Sequence, residues 1–412
     1  MRILTVNSSD LDGGAARAAY RLHQGLLRIG LDPRMLVQSR SSDDHRVQGP
    51  GTGMSKAMAR VRPSLDLLPV KRYPNHGSKM FSPAWLPFGG LVDRINASDA
   101  DVVHLHWITA GMLRLEELDR INKPMVWSLH DMWAYTGGCH YDEECGRWRT
   151  TCGSCPVLGS SKESDLSRSV FQRKLKTYAR LKGRLTVVGL STWMAECAQE
   201  STLMKDLRVV QLPNPIDTAV FKPVDRRVAK EILGLPTDKP LVLFGAVNAT
   251  ADPRKGFVHL SEALRSLPFG SVELAVFGAS RPQQVPDLGH PIHYLGRLHD
   301  DAALCLLYNA ADVTVVPSLQ ENLSNTIVES LACGTPVVAF AIGGNKDMVD
   351  HGVNGALAPA FDAQQLAAGI RSVLDTSRTE EFRTHARRIA LERFELVRVS
   401  ERYRALYEEA LR

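Results

Sequence analysis

The chain has 412 residues, 44% of them apolar and 23% charged, with a formal net charge of +5. Those proportions belong to an ordinary globular protein long enough for two or three cores, and they exclude a fibrous or disordered chain. No run approaches the roughly 18 apolar residues of a membrane span, the start MRILTVNSSDLDGG is too short in apolar residues for a signal peptide, and the dispersed charge leaves no nucleic-acid footprint, so a cytoplasmic protein is expected.

Arg2 to Asn7 reads as a strand and Ala15 to Arg28 as a helix. Between them stand Gly13 and Gly14, which let backbone amides approach a phosphate or sugar at a helix start, or simply form a tight turn. Arg34 to Ser39, Asp101 to His106, Pro124 to Leu129 and Leu185 to Leu190 follow as strands; runs such as VVHL and LTVVGL, apolar on both faces, suit a parallel sheet covered on both sides. Between Ser39 and Asp101, Met54 to Met80 carries Lys56, Arg60, Arg62, Lys71, Arg72 and Lys79 among Met, Val, Leu and Pro, a composition fitting either an anionic membrane surface or a solvated loop.

The proline-rich stretch QLPNPIDTAVFKP suppresses regular structure and reads as a hinge, which sets domains at 1–213 and 214–395. The second half repeats the alternation, with strands at Leu241 to Val247, Val272 to Phe277, Val313 to Pro317 and Pro336 to Phe340. Helices are expected near Val258 to Ser266, Asp300 to Asn309, Leu323 to Cys333 and Ala363 to Leu374. Two closing helices follow, the last of which, 396–412, is expected to cross back to the first domain. The fold class is α/β, two doubly wound Rossmann-like domains facing each other across a cleft lined by the carboxyl ends of both sets of strands.

Glu321 and Glu329 stand eight positions apart in SLQENLSNTIVESLACGTPVV. With a helix from Asn322 to Cys333, both carboxylates lie along one face just past a buried strand and meet one elongated ligand, while the N–H groups of Asn322, Leu323 and Ser324 point at an anion. The alternative is two solvated glutamates on a surface helix.

Taken together, NSSDLDGGAARAAYRL, SLHDMW, LPNPIDTAVF, DPRKGF, the glutamate pair and PVVAFAIGGNKDMVDHGVNG resemble the retaining glycosyltransferases of family 4, with the two-domain GT-B architecture. HDMWAYTGGCHY with its paired cysteines is most similar to enzymes of the colanic-acid and exopolysaccharide type. The resemblance implies transfer of a hexose from a UDP- or GDP-linked donor to a hydroxyl of a glycan or lipid-linked acceptor, with no obligatory metal. It implies that Glu329 contacts the nucleotide ribose, that Glu321 holds a donor hydroxyl near the reacting carbon, and that Lys255 clamps the diphosphate with Arg254 beside it. His130 then contacts donor sugar or diphosphate, Gly343 and Gly344 form a loop near the donor, and Asp131 and Trp133 shape the acceptor side. Many relatives carry an arginine just after the glycine matching Gly245; here Ala246 follows, and Arg254 is the candidate replacement. Ser324 stands where many relatives have glycine. His104 and His106 alternate on one strand face and are read as cleft lining.

Cys139, Cys145, Cys152 and Cys155 supply four thiols within a loop too polar for its own core, and a structural zinc is the expectation there, with free thiols or disulfides as alternatives and His140 as a substitute ligand. A GT-B sugar-nucleotide epimerase and a non-catalytic nucleotide-sugar-binding protein remain as alternative functions.

Overall fold

Apolar runs without polar alternation must be covered on both faces, and that requirement organises the molecule. In the computed structural model, which describes residues 1–77, 79–87, 90–245, 252–298 and 300–412, the chain divides into two compact units, Met1–Asn214 with Val397–Arg412, and Pro215–Leu396.

The first unit holds a sheet in the order β3-β2-β1-β4-β5-β6-β7, every recorded pair parallel. Its strands are β1 (Arg2–Ser9), β2 (Asp32–Ser39), β3 (Val47–Gln48), β4 (Val102–Leu105), β5 (Met125–Leu129), β6 (Leu185–Gly189) and β7 (Arg208–Gln211). Helices α1 (Gly14–Arg28), α2 (Gly53–Asp66), α3 (Leu91–Ala97), α4 (Leu166–Tyr178) and α5 (Thr192–Glu200) connect them. Helix α1 lays Ala16, Ala19, Leu22 and Leu26 inward, an i, i+3, i+4 stripe that fits a helix packed on a sheet.

The second unit orders its sheet β10-β9-β8-β11-β12-β13, again parallel. These strands are β8 (Leu241–Gly245), β9 (Glu273–Phe277), β10 (Ile292–Tyr294), β11 (Val313–Val316), β12 (Val337–Phe340) and β13 (Gly355–Ala358). Its helices are α6 (Arg226–Ile232), α7 (Phe257–Arg265), α8 (Asp301–Ala310), α9 (Asn325–Ala332), α10 (Asn345–Met348), α11 (Ala363–Val373) and α12 (Thr379–Arg393). The last helix, α13 (Leu396–Ala410), contributes its residues from Val397 onward to the first unit, where Tyr403 and Tyr407 are fully buried.

Both sheets reverse their strand order once, between β1 and β4 and between β8 and β11. At such a reversal the two connections leave on opposite faces, so a crevice opens outside the carboxyl ends of the two strands. The segments after β8 and β11 contain Lys255 and Glu321; those after β1 and β4 contain Gly13 and His106.

Candidate active site

In the second unit, a short turn at Pro253–Lys255 is pinned to the segment leaving β11. Leu319 N–H donates to the Arg254 carbonyl at 2.8 Å. Gly256 follows with φ of +70°, and a Cβ there would stand 1.8 Å from the Pro317 carbonyl oxygen, so the approach requires glycine twice over. This docking brings Lys255 Nζ to 2.9 Å from Glu321 Oε2, which also accepts from Ser318 Oγ at 3.1 Å. Glu321 is 8% exposed, yet the Glu321 carbonyl also receives Gly344 N–H at 3.1 Å, which ties the Gly343–Gly344 turn to the same point. A carboxylate, an ammonium and a glycine turn therefore converge at the switch point.

One expectation needs correction. Helix α9 begins at Asn325, with Ser324 as its N-cap, so Asn322 and Leu323 lie in the loop and Glu321 and Glu329 are not on one helix. The reason is a long-range one: Leu319 and Glu321 are first bonded to the Arg254–Lys255 turn, and the helix starts only beyond them. Glu329, 4% exposed, sits in that helix and accepts from Tyr308 Oη on α8 at 2.8 Å, a partner the sequence reading did not name. Arg254 pairs with Asp252 at 2.7 Å. Gly245 ends β8 with no room for a side chain, since a Cβ would lie 2.1 Å from the Phe277 ring; the adjoining Ala246 lies outside the described residues.

In the first unit, Gly13 with φ of +91° caps α1, and both Gly13 and Gly14 are exposed. His130 follows β5 and is half-buried, its Nε2 2.9 Å from His106 Nδ1. His104 is not a lining residue: it is fully buried, Nδ1 2.7 Å from Tyr407 Oη and Nε2 2.9 Å from Ser128 Oγ. Burial, with His130 as a second cause, depresses His104 to about 3, and burial depresses His130 to about 4 against the opposing pull of Asp131. Burial, then His104 and His130, hold His106 well below the usual histidine range. Burial works against the charge on Asp131, but His140, the Trp133 N–H and the Trp107 indole N–H together keep its carboxyl below the usual range. The loop is locked from behind by buried Lys174, which donates to the Trp133 and Thr136 carbonyls and lies 3.8 Å from the Trp133 ring centroid.

The zinc expectation is not met by this geometry. Among the described residues no group of three or more His, Cys, Asp or Glu side chains is placed to hold a metal ion, and the four cysteines are free thiols. Cys139 and Cys155 pack with Val70, Phe81, Val157 and Leu158, whereas Cys152 belongs to the main core cluster. Burial pushes the Cys152 thiol up to about 12.

Two family models match, "Glycosyltransferase Family 4" over residues 12–220 and "Glycosyl transferases group 1" over residues 239–376. The D-inositol 3-phosphate glycosyltransferase of Xylanimonas cellulosilytica is 30% identical over 389 residues, 87% of this chain and 84% of that protein. The chain belongs to glycosyltransferase family 4. The enzyme of the same name from Thermobispora bispora is 34% identical over 67% of this glycosyltransferase, which spans 62% of that relative's length. The fold is GT-B: the Anabaena protein HepE, solved with UDP and glucose, superposes with a TM-score of 0.66 at 18% identity, covering 99% of both chains. Tyr308 and Ser318, which hold the two glutamates, escaped sequence reading because a buried hydroxyl, on helix α8 or in the loop after β11, looks like any core residue. Among the described residues no helix is long and apolar enough to cross a membrane.

Proposed function

We propose that this glycosyltransferase moves a hexose, with retention of configuration, from a nucleotide diphosphate sugar to an acceptor hydroxyl. The observation that carries the reading is the Lys255–Glu321 pair at the switch point of the second sheet. Opposite charges 2.9 Å apart at a ligand crevice are a matched set for a sugar ester of a diphosphate, with cation to the leaving group and carboxylate to the hydroxylated end. On binding, Lys255 turns from Glu321 to the diphosphate and supplies the positive charge that the departing group needs. Glu321 holds a sugar hydroxyl and stabilises positive charge at the reacting carbon. Glu329 takes the ribose hydroxyls, and Arg254, Asn322, Leu323, Ser324, Gly245, Gly343 and Gly344 complete the donor site. For Gly13, Gly14 and His130 of the first unit, the family resemblance proposes a sugar or phosphate ligand.

The bond from anomeric carbon to phosphate oxygen breaks as the acceptor oxygen bonds to the same face, and the departing phosphate oxygen takes the acceptor proton. No side chain serves as nucleophile and no cofactor is needed; position and electrostatics supply the rate. UDP is the first nucleotide to test, because HepE was solved with it. A cell-surface glycan or lipid-linked acceptor, as in exopolysaccharide assembly, is the first reading of the acceptor. A phosphorylated cyclitol is the second, favoured by the names of the two curated relatives.

A lipid-linked acceptor fits the surface of α2 and the turns after it. Met54, Met58, Val61, Leu67 and Leu68 are exposed there together with Lys56, Arg60, Lys71 and Arg72, a composition suited to peripheral contact with an anionic membrane. Arg62 takes no part, being buried with its Nε 2.5 Å from the Gly111 carbonyl. The test is thermal-shift titration with a panel of UDP- and GDP-sugars, then nucleotide release with and without acceptor. Stabilisation by one donor class and acceptor-dependent release support the reading, whereas donor turnover without acceptor points to epimerisation, and binding without turnover to a sensor.

A further inference from the structure

His106 and His130 leave the carboxyl ends of adjacent parallel strands, β4 and β5, and their rings meet with Nδ1 of His106 2.9 Å from Nε2 of His130. A neutral imidazole carries one N–H, so one ring donates in this bond and the other accepts. His106 is 3% exposed, its Nε2 is buried with no hydrogen-bond partner, and its ring lies 4.1 Å from that of His104. His104 offers no relief, because Tyr407 and Ser128 occupy both its nitrogens. If His130 were the donor, His106 would carry its own proton on Nε2, a buried N–H without an acceptor. With His106 as donor, Nε2 is a bare lone pair, the cheaper and commoner of the two defects. Protonating both nitrogens would place a charge among three packed imidazoles.

We propose that His106 is a positioning residue: its Nδ1–H donates to His130 Nε2 and fixes His130 in the tautomer whose proton is on Nδ1. His130 then meets its ligand as a hydrogen-bond donor, and the ligand atom it selects is an oxygen that accepts, on a sugar hydroxyl or a phosphate. This ligand role rests on the function proposed above; the tautomer itself does not.

The test is two-bond ¹H–¹⁵N correlation of the full-length protein labelled with ¹⁵N-histidine, at neutral pH, with His130→Gln and His106→Leu used to assign the signals. The expected result is an Nδ1–H pattern for His130 that is lost in His106→Leu and kept in His106→Asn, whose amide N–H replaces the Nδ1–H donor. Turnover falls about tenfold in the Leu variant, the worth of one hydrogen bond, and recovers in the Asn variant. An Nε2–H pattern for His130 in the unaltered protein, or an unchanged pattern in His106→Leu, overturns the proposal. Should the Leu variant not fold, the unaltered and Asn spectra decide alone. A protein that binds neither UDP- nor GDP-sugars but shows the expected tautomer refutes the proposed function and spares this inference; donor binding with the opposite tautomer does the reverse.

Discussion

Lys255 and Glu321, 66 positions apart in sequence, form an ion pair of 2.9 Å because Gly256 lets its turn close onto the Pro317 carbonyl. With both groups largely buried, the pair holds the unliganded site in shape and must open when a donor arrives.

Glu321→Gln keeps the shape and removes the charge. Turnover should fall about 100-fold or more, as for loss of one transition-state electrostatic contact, while nucleotide affinity changes little. Steady-state kinetics beside calorimetric titration of UDP read the two separately, and equal losses in both would contradict the assigned role.

Gly256→Ala places a side chain at a positive φ and against Pro317. A destabilisation of about 1–3 kcal/mol is expected, together with loss of donor binding as the Lys255 turn lifts away. Denaturant unfolding with and without UDP measures both; full stability would refute the close approach.

Much of this architecture was legible in the residues. Runs such as VVHL, LTVVG and the strand before Pro317 are apolar on both faces, so the central strands and their parallel order followed from period alone. The short outer strands β3, β7, β10 and β13 did not, since segments such as Val47–Gln48 and Gly355–Ala358 are too brief or too small-sided to show a period. Of the candidate site, Lys255 and Glu321 were found from motif order, but their contact depends on a turn between distant segments, which no local pattern encodes. The same limit misplaced the start of α9 and made His104 a lining residue, when Tyr407 from the far end of the chain covers it.

Stability should fall with pH in a defined window. His104 and His130 have folded pKa values of about 3 and 4 against 6.5 when unfolded, so below pH 6.5 the unfolded chain binds protons that the folded one refuses. Each group then contributes roughly 1.4 kcal/mol of lost stability per pH unit, beginning near pH 6.5 and above the range where carboxylates titrate. Urea unfolding between pH 7 and 5 should show this slope, and it should shrink in His104→Asn; a flat profile would refute the neutral buried cluster.

Tyr308→Phe removes a hydroxyl donor from buried Glu329. A loss of about 1–3 kcal/mol is expected, with weaker UDP binding as the carboxylate loses its orientation. Melting curves with and without UDP test this, and unchanged UDP affinity would separate Glu329 from the nucleotide.

Replacing Lys56, Arg60, Lys71 and Arg72 by Glu should abolish sedimentation with vesicles containing anionic lipid, each basic residue near such a surface being worth about 1 kcal/mol. Unchanged sedimentation would remove the membrane from the account.

The most direct test is a crystal structure with an uncleaved UDP-sugar bound. The account predicts the Lys255–Glu321 pair opened, the ammonium on a diphosphate oxygen, the Glu321 carboxylate on a sugar hydroxyl and Glu329 on the ribose. A donor bound elsewhere with the 2.9 Å pair intact would contradict it.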